Sequence, residues 1–525
     1  MVEAGPYTGM SDTLDPTAAN GQTANLLQNV YPLEAEVGEG IVGRPGYSVM
    51  GAQSPSGAYP GQGIHQFTKS DGTEYTVRVI GGRFETYNWG TQVWTEVLTA
   101  GQLAGASIVL NSLARVSMVT FANTLVVSDG LHTPWSWDGT PGAGLTLLSN
   151  CPVLYGPMTV YSAKLFGIKA SDRLTFVWSE ENDPTLGYQA TVNGFTYANA
   201  WTIGQTDQNS LVALRGTNAA LYYWRERSTG AVFGKVNSQF VTTATHDALS
   251  TSVGTRSPWG IVPHGEGFLF PDADGRPHRL VPGGGVVAVW QPYRETLKTI
   301  PRGNLVDALA IDYPAARLLL IGYTETLSPY PSAWLVYRDT AQGFAPAGIW
   351  RGWLSTQTAV CKDAFGVPTW VHLSTDGYAY AHGNPDGSVW DDKPVSGTVA
   401  IQHIVQAMPM AADPPEDAQF QRLDLLTRTE SAMTLSLDYD TPRGRSTALT
   451  LPVTPVAALG QYWDVALWDA AMWAQAAVEV HTTAGWNGAG RWIRPRIIHA
   501  TVGERFGFMK WRVSGVRAGT SPFAP

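Results

Sequence analysis

The sequence predicts an all-β chain: a β-propeller of about six to eight blades over residues 61–394, an extended N-terminal arm over 1–60 and a C-terminal β-sandwich-like domain over 395–525. Two observations carry this. A unit of short strands parted by Asp-Gly turns recurs at irregular intervals of about 40 to 50 residues, the spacing of propeller blades. Charged residues make up only 15% of the chain, while Gly (56), Pro (34) and Trp (20) are abundant, a composition that suits many strands and turns.

The unit is written most plainly between Leu113 and Gly139. A β-rich run from Arg115 to Ala122 is followed by Thr124–Ser128, a turn at Asp129-Gly130, an aromatic strand carrying Trp135, and a second turn at Asp138-Gly139. Glycine accepts the positive φ that tight reversals need and aspartate tolerates it, so tight hairpins are expected here. Relatives of the unit stand at Asp71-Gly72 before Glu74–Ile80, and at Asp376-Gly377 and Asp386-Gly387 around Tyr378 and Trp390. A closed ring of such sheets leaves no strand edge exposed. Residues 186–200 and 241–252 read as insertions between strands.

After Pro394 the pattern lengthens. Leu435 and Leu437 alternate with Thr434, Ser436 and Asp438, the signature of a sheet with one wet face. Trp463, Trp468 and Trp473 recur every five residues, a step that neither helix nor strand places on one side. They are expected to plug the sandwich; an aromatic platform for sugar or a neighbouring subunit is the sharper alternative.

Composition also excludes function classes. The formal charge is −9 and Lys and Arg form no runs, which argues against a dedicated nucleic-acid binder while leaving room for a wall along which a duplex slides. Cys151 and Cys361 match no metal-ligand spacing and leave a disulfide open. The N-terminus has no basic start followed by an apolar core, and the apolar runs are strand-sized, so synthesis in the cytosol without membrane insertion is expected. No phosphate loop, nucleophile elbow or zinc-protease helix is written in the chain. His372, His382 and His403 read as satisfied or solvent-facing histidines, and Glu180-Glu181, Asp272 with Asp274, Asp391-Asp392 and Asp438 with Asp440 read as turn formers. No catalytic, cofactor-binding or metal-binding residue emerges, and the chain is expected not to be an enzyme.

In the arm, Asn29, Tyr31, Pro32 and Glu34 spell Asn-x-Tyr-Pro-x-Glu, followed by Arg44, Pro45 and Gly46. Together with Asp129-Gly130, Trp135 and Asp138-Gly139, and with the run from Ser252 to Val262 leading into Gly267–Phe270 and Asp274-Gly275, this order resembles the hub and nozzle proteins of bacteriophage tails. That group includes the packaged-DNA stabilisation proteins and the tail tubular proteins of short-tailed phages. The resemblance implies a virion structural subunit, assembled in the host cytoplasm into a homo-oligomeric, sixfold ring. Its implied partners are tail adaptor or portal-side proteins, fibre or spike proteins, and packaged DNA by passage only; it implies no cofactor. Tyr31, Arg44 and Tyr47, in a segment without its own core, either anchor on a neighbouring subunit or pin the arm to its own propeller. Two other classes compete: a carbohydrate-binding or glycan-degrading propeller, whose sialidase-like ingredients around Ser128 and Asn384 stand at the wrong intervals, and a plain scaffold for protein partners.

Overall fold

A computed structural model describes residues 2–4, 9–11, 23–32, 41–188, 190–192, 195–197, 199–203, 209–234, 244–265, 267–281, 285–325, 330–340, 343–383, 391–411, 418–429, 432–454, 478–504 and 506–517. The chain is all-β. Six separate sheets of four or five strands, and the first four strands of a larger sheet, make a propeller of seven blades.

Blade 1 is built from Gly61–Thr68, Glu74–Ile80, Arg83–Asn88 and Val93–Leu98. Blade 2 runs from Ser117–Phe121 to Leu145–Leu147 and blade 3 from Leu154–Tyr161 through Thr175–Glu180, on which both Asp183–Gly187 and Ala200–Thr202 pair. Blade 4 runs from Leu211–Gly216 to Thr245–Ser250, blade 5 from Val262–His264 to Gly285–Ala288, and blade 6 from Leu309–Tyr313 to Gly343–Arg351. Blade 7 comprises Gln357–Lys362, Pro368–Leu373 and Ala379–His382. The first strand of each blade lies innermost, and residues on or beside all seven first strands line one axial cavity.

Two local expectations change. Thr245–Ser250 is the outer strand of blade 4 rather than part of an insertion; its mostly exposed side chains give it no apolar alternation to read. The turn after Ser128 is a wide connection, since Val127 pairs with Trp135, and not a two-residue hairpin.

The recurring Asp is explained by what its side chain accepts. The backbone N–H two residues on donates to Asp71, Asp129, Asp138, Asp172, Asp272, Asp363 and Asp376, at 2.8 to 3.1 Å. Each carboxylate thereby substitutes for a missing backbone partner and pins its turn. Asp129 does most: it also accepts from the Asn111 N–H and from His132, tying the link between blades 1 and 2 to the turn. Burial pushes its carboxyl up, but those hydrogen bonds outweigh burial and hold it below the usual range. Trp135 is buried, and Trp137 packs edge-on to Phe84 of blade 1. Gly130 and Gly139 both have positive φ, so neither tolerates a side chain readily.

The ring closes through the N-terminal stretch. Tyr47–Val49 pairs antiparallel with Ala379–His382 as the fourth strand of blade 7, and the chain then runs straight into blade 1. Along this seam Gln53 Nε2 donates to the Asp376 carbonyl at 2.7 Å, and Trp94 Nε1 to the Met50 carbonyl at 2.6 Å. Pairing the segments that precede and end the ring in one sheet means that the ring cannot open without breaking a strand ladder.

The other described segments of the stretch expected as an arm are extended strands, stitched into the blade 6 sheet and into one further sheet. Thr23–Gln28 lies between Gly343–Arg351 of blade 6 and His403–Ala407, so the blade 6 sheet continues through it into Trp492–His499 and Met433–Thr441. Val30–Pro32 and Ile41–Gly43 join Gly507–Arg517, Ala418–Thr429 and Val478–Gly490 in the facing sheet. Ile493, Ile497, Leu435 and Leu437 meet Leu423, Leu425, Phe508 and Trp511 between these sheets, in a core that reaches Leu319 and Leu335 of blade 6. On Met433–Thr441 the leucines are buried and Thr434 exposed, as a sheet with one wet face requires. Trp463, Trp468 and Trp473, with Glu34 and the Asp386-Gly387 turn, lie outside the described residues.

Candidate functional site at the joint between propeller and sandwich

Asn29 stands where the chain leaves one sheet for the other. Its φ of 56° is left-handed, a conformation that asparagine tolerates better than most residues. The backbone N–H of Asn29 donates to the Ile349 carbonyl at 2.8 Å and its carbonyl accepts from the Arg44 N–H at 2.8 Å. Its side chain donates to the Gln402 carbonyl (2.9 Å) and accepts from the Arg351 N–H (2.6 Å) and from Arg44 Nε (3.2 Å). One side chain thus bridges blade 6, the sandwich and the N-terminal stretch.

Arg44 is 1% exposed and uses its whole donor fork. Besides Asn29, it reaches Asp392 Oδ1 and Oδ2 at 2.9 and 2.6 Å, the Pro45 carbonyl at 3.1 Å and the Arg351 carbonyl at 3.0 Å. The bidentate pairing with a 4% exposed Asp392 is the geometry in which a buried ion pair is fully satisfied. Trp353 closes the other face, its ring centroid 4.7 Å from the guanidinium carbon. Arg351, immediately before this corner, binds Glu325 through Nε and Nη2 and donates to Gln28 Oε1 at 2.8 Å.

Tyr31 and Tyr47 extend the joint into aromatic layers. Tyr31 packs on Trp350, with centroids 5.8 Å apart, while Tyr47 sits among His372, Tyr380, His382 and Trp353. His382 lies flat on Trp370 at 3.7 Å and faces His372, whose Nδ1 is 2.9 Å from its Nε2. Burial, joined by the nearby charge of Arg44, lowers the His372 pKa to about 3, and burial followed by His372 and Arg44 drives His382 well below its ordinary value. Across the joint His403 stacks on Phe506 and meets His499, which contacts Glu504 at 2.9 Å. Among the described residues no group of three or more His, Cys, Asp or Glu is placed to hold a metal ion.

Tyr31, Arg44 and Tyr47 are therefore buried within their own chain, at 5%, 1% and 6% exposure. The residues that sequence order brought to attention converge: Asn29, Tyr31, Arg44 and Gly46 all belong to this one joint. Asp392, Arg351 and Trp353 were not recognised as part of it. The available signal was Arg44 itself, since an arginine in an apolar stretch needs a carboxylate, and the adjacent acids Asp391 and Asp392 were read only as a turn. Asp392 does bridge to Val399 through its backbone, while its side chain serves Arg44.

Gly46 has a steric reason. A Cβ there would stand 2.0 Å from the Asp391 carbonyl oxygen, and both segments are held in place: the Gly383 N–H donates to the Gly46 carbonyl at 2.9 Å and the Gly503 N–H to the Asp391 carboxylate at 2.8 Å. Gly46→Ala is expected to destabilise by about 1–3 kcal/mol, as overpacking does, read as a lower urea midpoint with an unchanged slope. An unchanged midpoint would mean that the 391–393 linker yields freely.

Other carboxylates are occupied structurally. Asp438 pairs with Arg496 and Arg445, and Asp440 with Arg494 at 2.8 Å, forming a charged ladder on the face of the strand opposite the leucines. Glu180 contacts Lys164 and accepts from Asn199, and Asp272 pins a turn. Cys151 and Cys361 are free and buried.

No protein-family model matches the chain, and no curated protein matches it. Among solved structures it is similar to the extracellular domain of a hybrid two component system from B. thetaiotaomicron, with 9% identity, 72% of this chain, 42% of that chain and a TM-score of 0.36. It is also similar to the WD40 domain of Neurospora crassa Pan2 (8% identity, 65% of this chain, 96% of that chain, TM-score 0.37). BBS1N in complex with ARL6DN is a third (9% identity, 65% and 98%, TM-score 0.41). Likenesses this distant say nothing about activity or partners.

Proposed function

We propose that this chain is a virion structural protein, a subunit of the nozzle or hub ring that continues and closes the DNA channel of a phage tail and takes part in genome retention and ejection. One observation supports the reading above others. The residues that carry the resemblance to tail proteins, Asn29, Tyr31, Arg44 and Gly46, lie together in a buried joint that fixes propeller to sandwich. A fully paired Arg–Asp–Asn network between two bodies contributes geometric specificity more than net stability, and a subunit of a channel wall needs its two bodies held in one fixed arrangement.

The lumen belongs to the ring of subunits rather than to the propeller, whose axial cavity of about 230 Å³ holds a small ion or several waters and not a duplex. With Tyr31, Arg44 and Tyr47 consumed internally, the contacts between subunits fall on other surfaces, and a cyclic ring covers two different faces of each copy. Negative-stain imaging and native mass spectrometry of the purified chain over rising concentration test the proposal. Rings of sixfold symmetry are expected; a chain that stays monomeric while binding or cleaving a polysaccharide would replace this reading with glycan recognition.

A further inference from the structure

Arg115 and Asp307 meet across the ring. Arg115 directly precedes Val116 and Ser117, which line the axial cavity where the innermost strand of blade 2 begins, and Asp307 stands two residues before cavity-lining Leu309, the first residue of blade 6. Arg115 Nη2 donates to the Asp307 carbonyl at 3.2 Å and lies 3.4 Å from Asp307 Oδ1. Blades 2 and 6 are not neighbours: blades 7 and 1 separate them on one side and blades 3 to 5 on the other. A direct contact between their inner rims therefore passes over the axis. Ion pairs elsewhere in the propeller, such as Arg78 with Glu85 inside blade 1, Lys164 with Glu180 inside blade 3 and Lys362 with Glu74 between adjoining blades 7 and 1, are local by comparison.

Each end of the contact is fixed to its own side of the ring. Gln62 of blade 1 donates through Nε2 to the Ala114 carbonyl at 2.7 Å, and its own carbonyl accepts from the Val116 N–H at 2.8 Å, so both neighbours of Arg115 are held. Beyond Asp307, the Ala308 carbonyl accepts from Ser257 Oγ at 2.7 Å and the Ala310 N–H donates to the Trp259 carbonyl at 3.1 Å, which fastens this segment to the entry of blade 5. The side chains of Arg115 and Asp307 are 15% and 30% exposed, so salt screens them less than a surface pair, and Tyr330 from blade 6 interacts electrostatically with both. The lining of the cavity changes along its length. Val116, Ser117, Leu309 and Gln357, at the end where the pair sits, are buried, whereas residues 118–120 and 358–360, with Ala310 and Asp312, are partly exposed, so the cavity opens toward the opposite face.

We propose that the Arg115–Asp307 pair is a strap across the propeller axis that ties the arc of blades 1 and 2 to the arc of blades 5 and 6 and restrains the ring from opening at this face. Blades of a propeller pack on their two neighbours, so a change in the width of the axis is otherwise opposed only by the sum of those side-by-side contacts. A charge-assisted contact between opposite rims adds a direct restraint, and because both ends are already held, little freedom is lost in making it. This inference is independent of the proposed place of the chain in a tail.

Native-state amide hydrogen exchange of the full-length chain, read in peptides that cover residues 115–121 and 307–313, tests it. In Arg115→Met and in Asp307→Asn these segments are expected to exchange about tenfold faster than in the parent, while the innermost strand of blade 4, Leu211–Gly216, keeps its rate. The double variant, Arg115→Met with Asp307→Leu, separates the strap from simple charge pairing: it leaves neither charge orphaned, so exchange that stays fast in it reports the lost restraint. If a single variant fails to fold, the double variant decides alone. Parental rates in both single variants, a return to parental rates in the double variant, or a uniform rise that includes blade 4 each overturn the proposal, the last two by assigning the effect to an unpaired charge and to global destabilisation.

Discussion

Arg44→Leu is expected to be the most damaging single substitution in the chain, costing about 3–5 kcal/mol, because it leaves the Asp392 carboxylate buried and unpaired. The loss extends further, since the Arg351 and Pro45 carbonyls and Asn29 Oδ1 each lose a donor at the same stroke. The joint connects two bodies, so the expected signature is specific: urea unfolding that separates into two steps as the sandwich uncouples from the propeller. Removing both charges, Arg44→Met with Asp392→Leu, should recover much of the loss, because the penalty lies in the orphaned charge rather than in the missing attraction. If the single and double variants were equally destabilised, packing against Trp353 would be the dominant contribution of Arg44 instead.

Acidification is expected to have an effect at least as large. Burial lowers the pKa of His65 to about 4 and, with the charge of Arg44 adding to it, that of His372 to about 3; His382 and His403 are held well below their ordinary value of 6.5. In the unfolded chain all four regain that ordinary value, so between pH 6.5 and about 4 the unfolded state binds protons that the native state refuses. Stability therefore rises with pH across this window and falls on acidification. Each such imidazole costs about 2 kcal/mol on going from pH 7 to pH 5. Burial raises the carboxyls of Asp307, Asp312 and Asp438, which oppose the effect only where carboxylates titrate. The check is the urea midpoint at pH 7 and pH 5, together with His65→Gln, which keeps a hydrogen-bonding partner for Thr120 and should flatten the pH dependence by one histidine's share. A midpoint that does not move with pH would mean that these rings open to solvent in the native state.

What the two experiments probe also separates local from distant information in the chain. The Asp-Gly recurrence was readable because each turn closes on itself: Asp138 accepts from Thr140, Asp272 from Asp274, Asp376 from Tyr378, all within two residues. Strand alternation on Met433–Thr441 was readable for the same reason, since burial on one face follows a period of two in the residues themselves. The exposed outer strand Thr245–Ser250 was not, because backbone pairing holds it in place whatever its side chains are.

By itself, then, the amino-acid order determined an all-β chain of short, turn-bounded strands with a longer alternating sheet behind them, and it pointed to Asn29, Tyr31 and Arg44 as residues with a task. Tertiary structure decided the number of blades, the use of Tyr47–Val49 to close the seventh, the passage of Thr23–Gln28 between blade 6 and the sandwich, and the meeting of Arg44 with Asp392 across 348 positions. The reason is physical: a turn is specified by the residues that form it, whereas a strand ladder between distant segments is made by backbone groups common to every residue, and a buried charge names its partner only once the chain has folded around it.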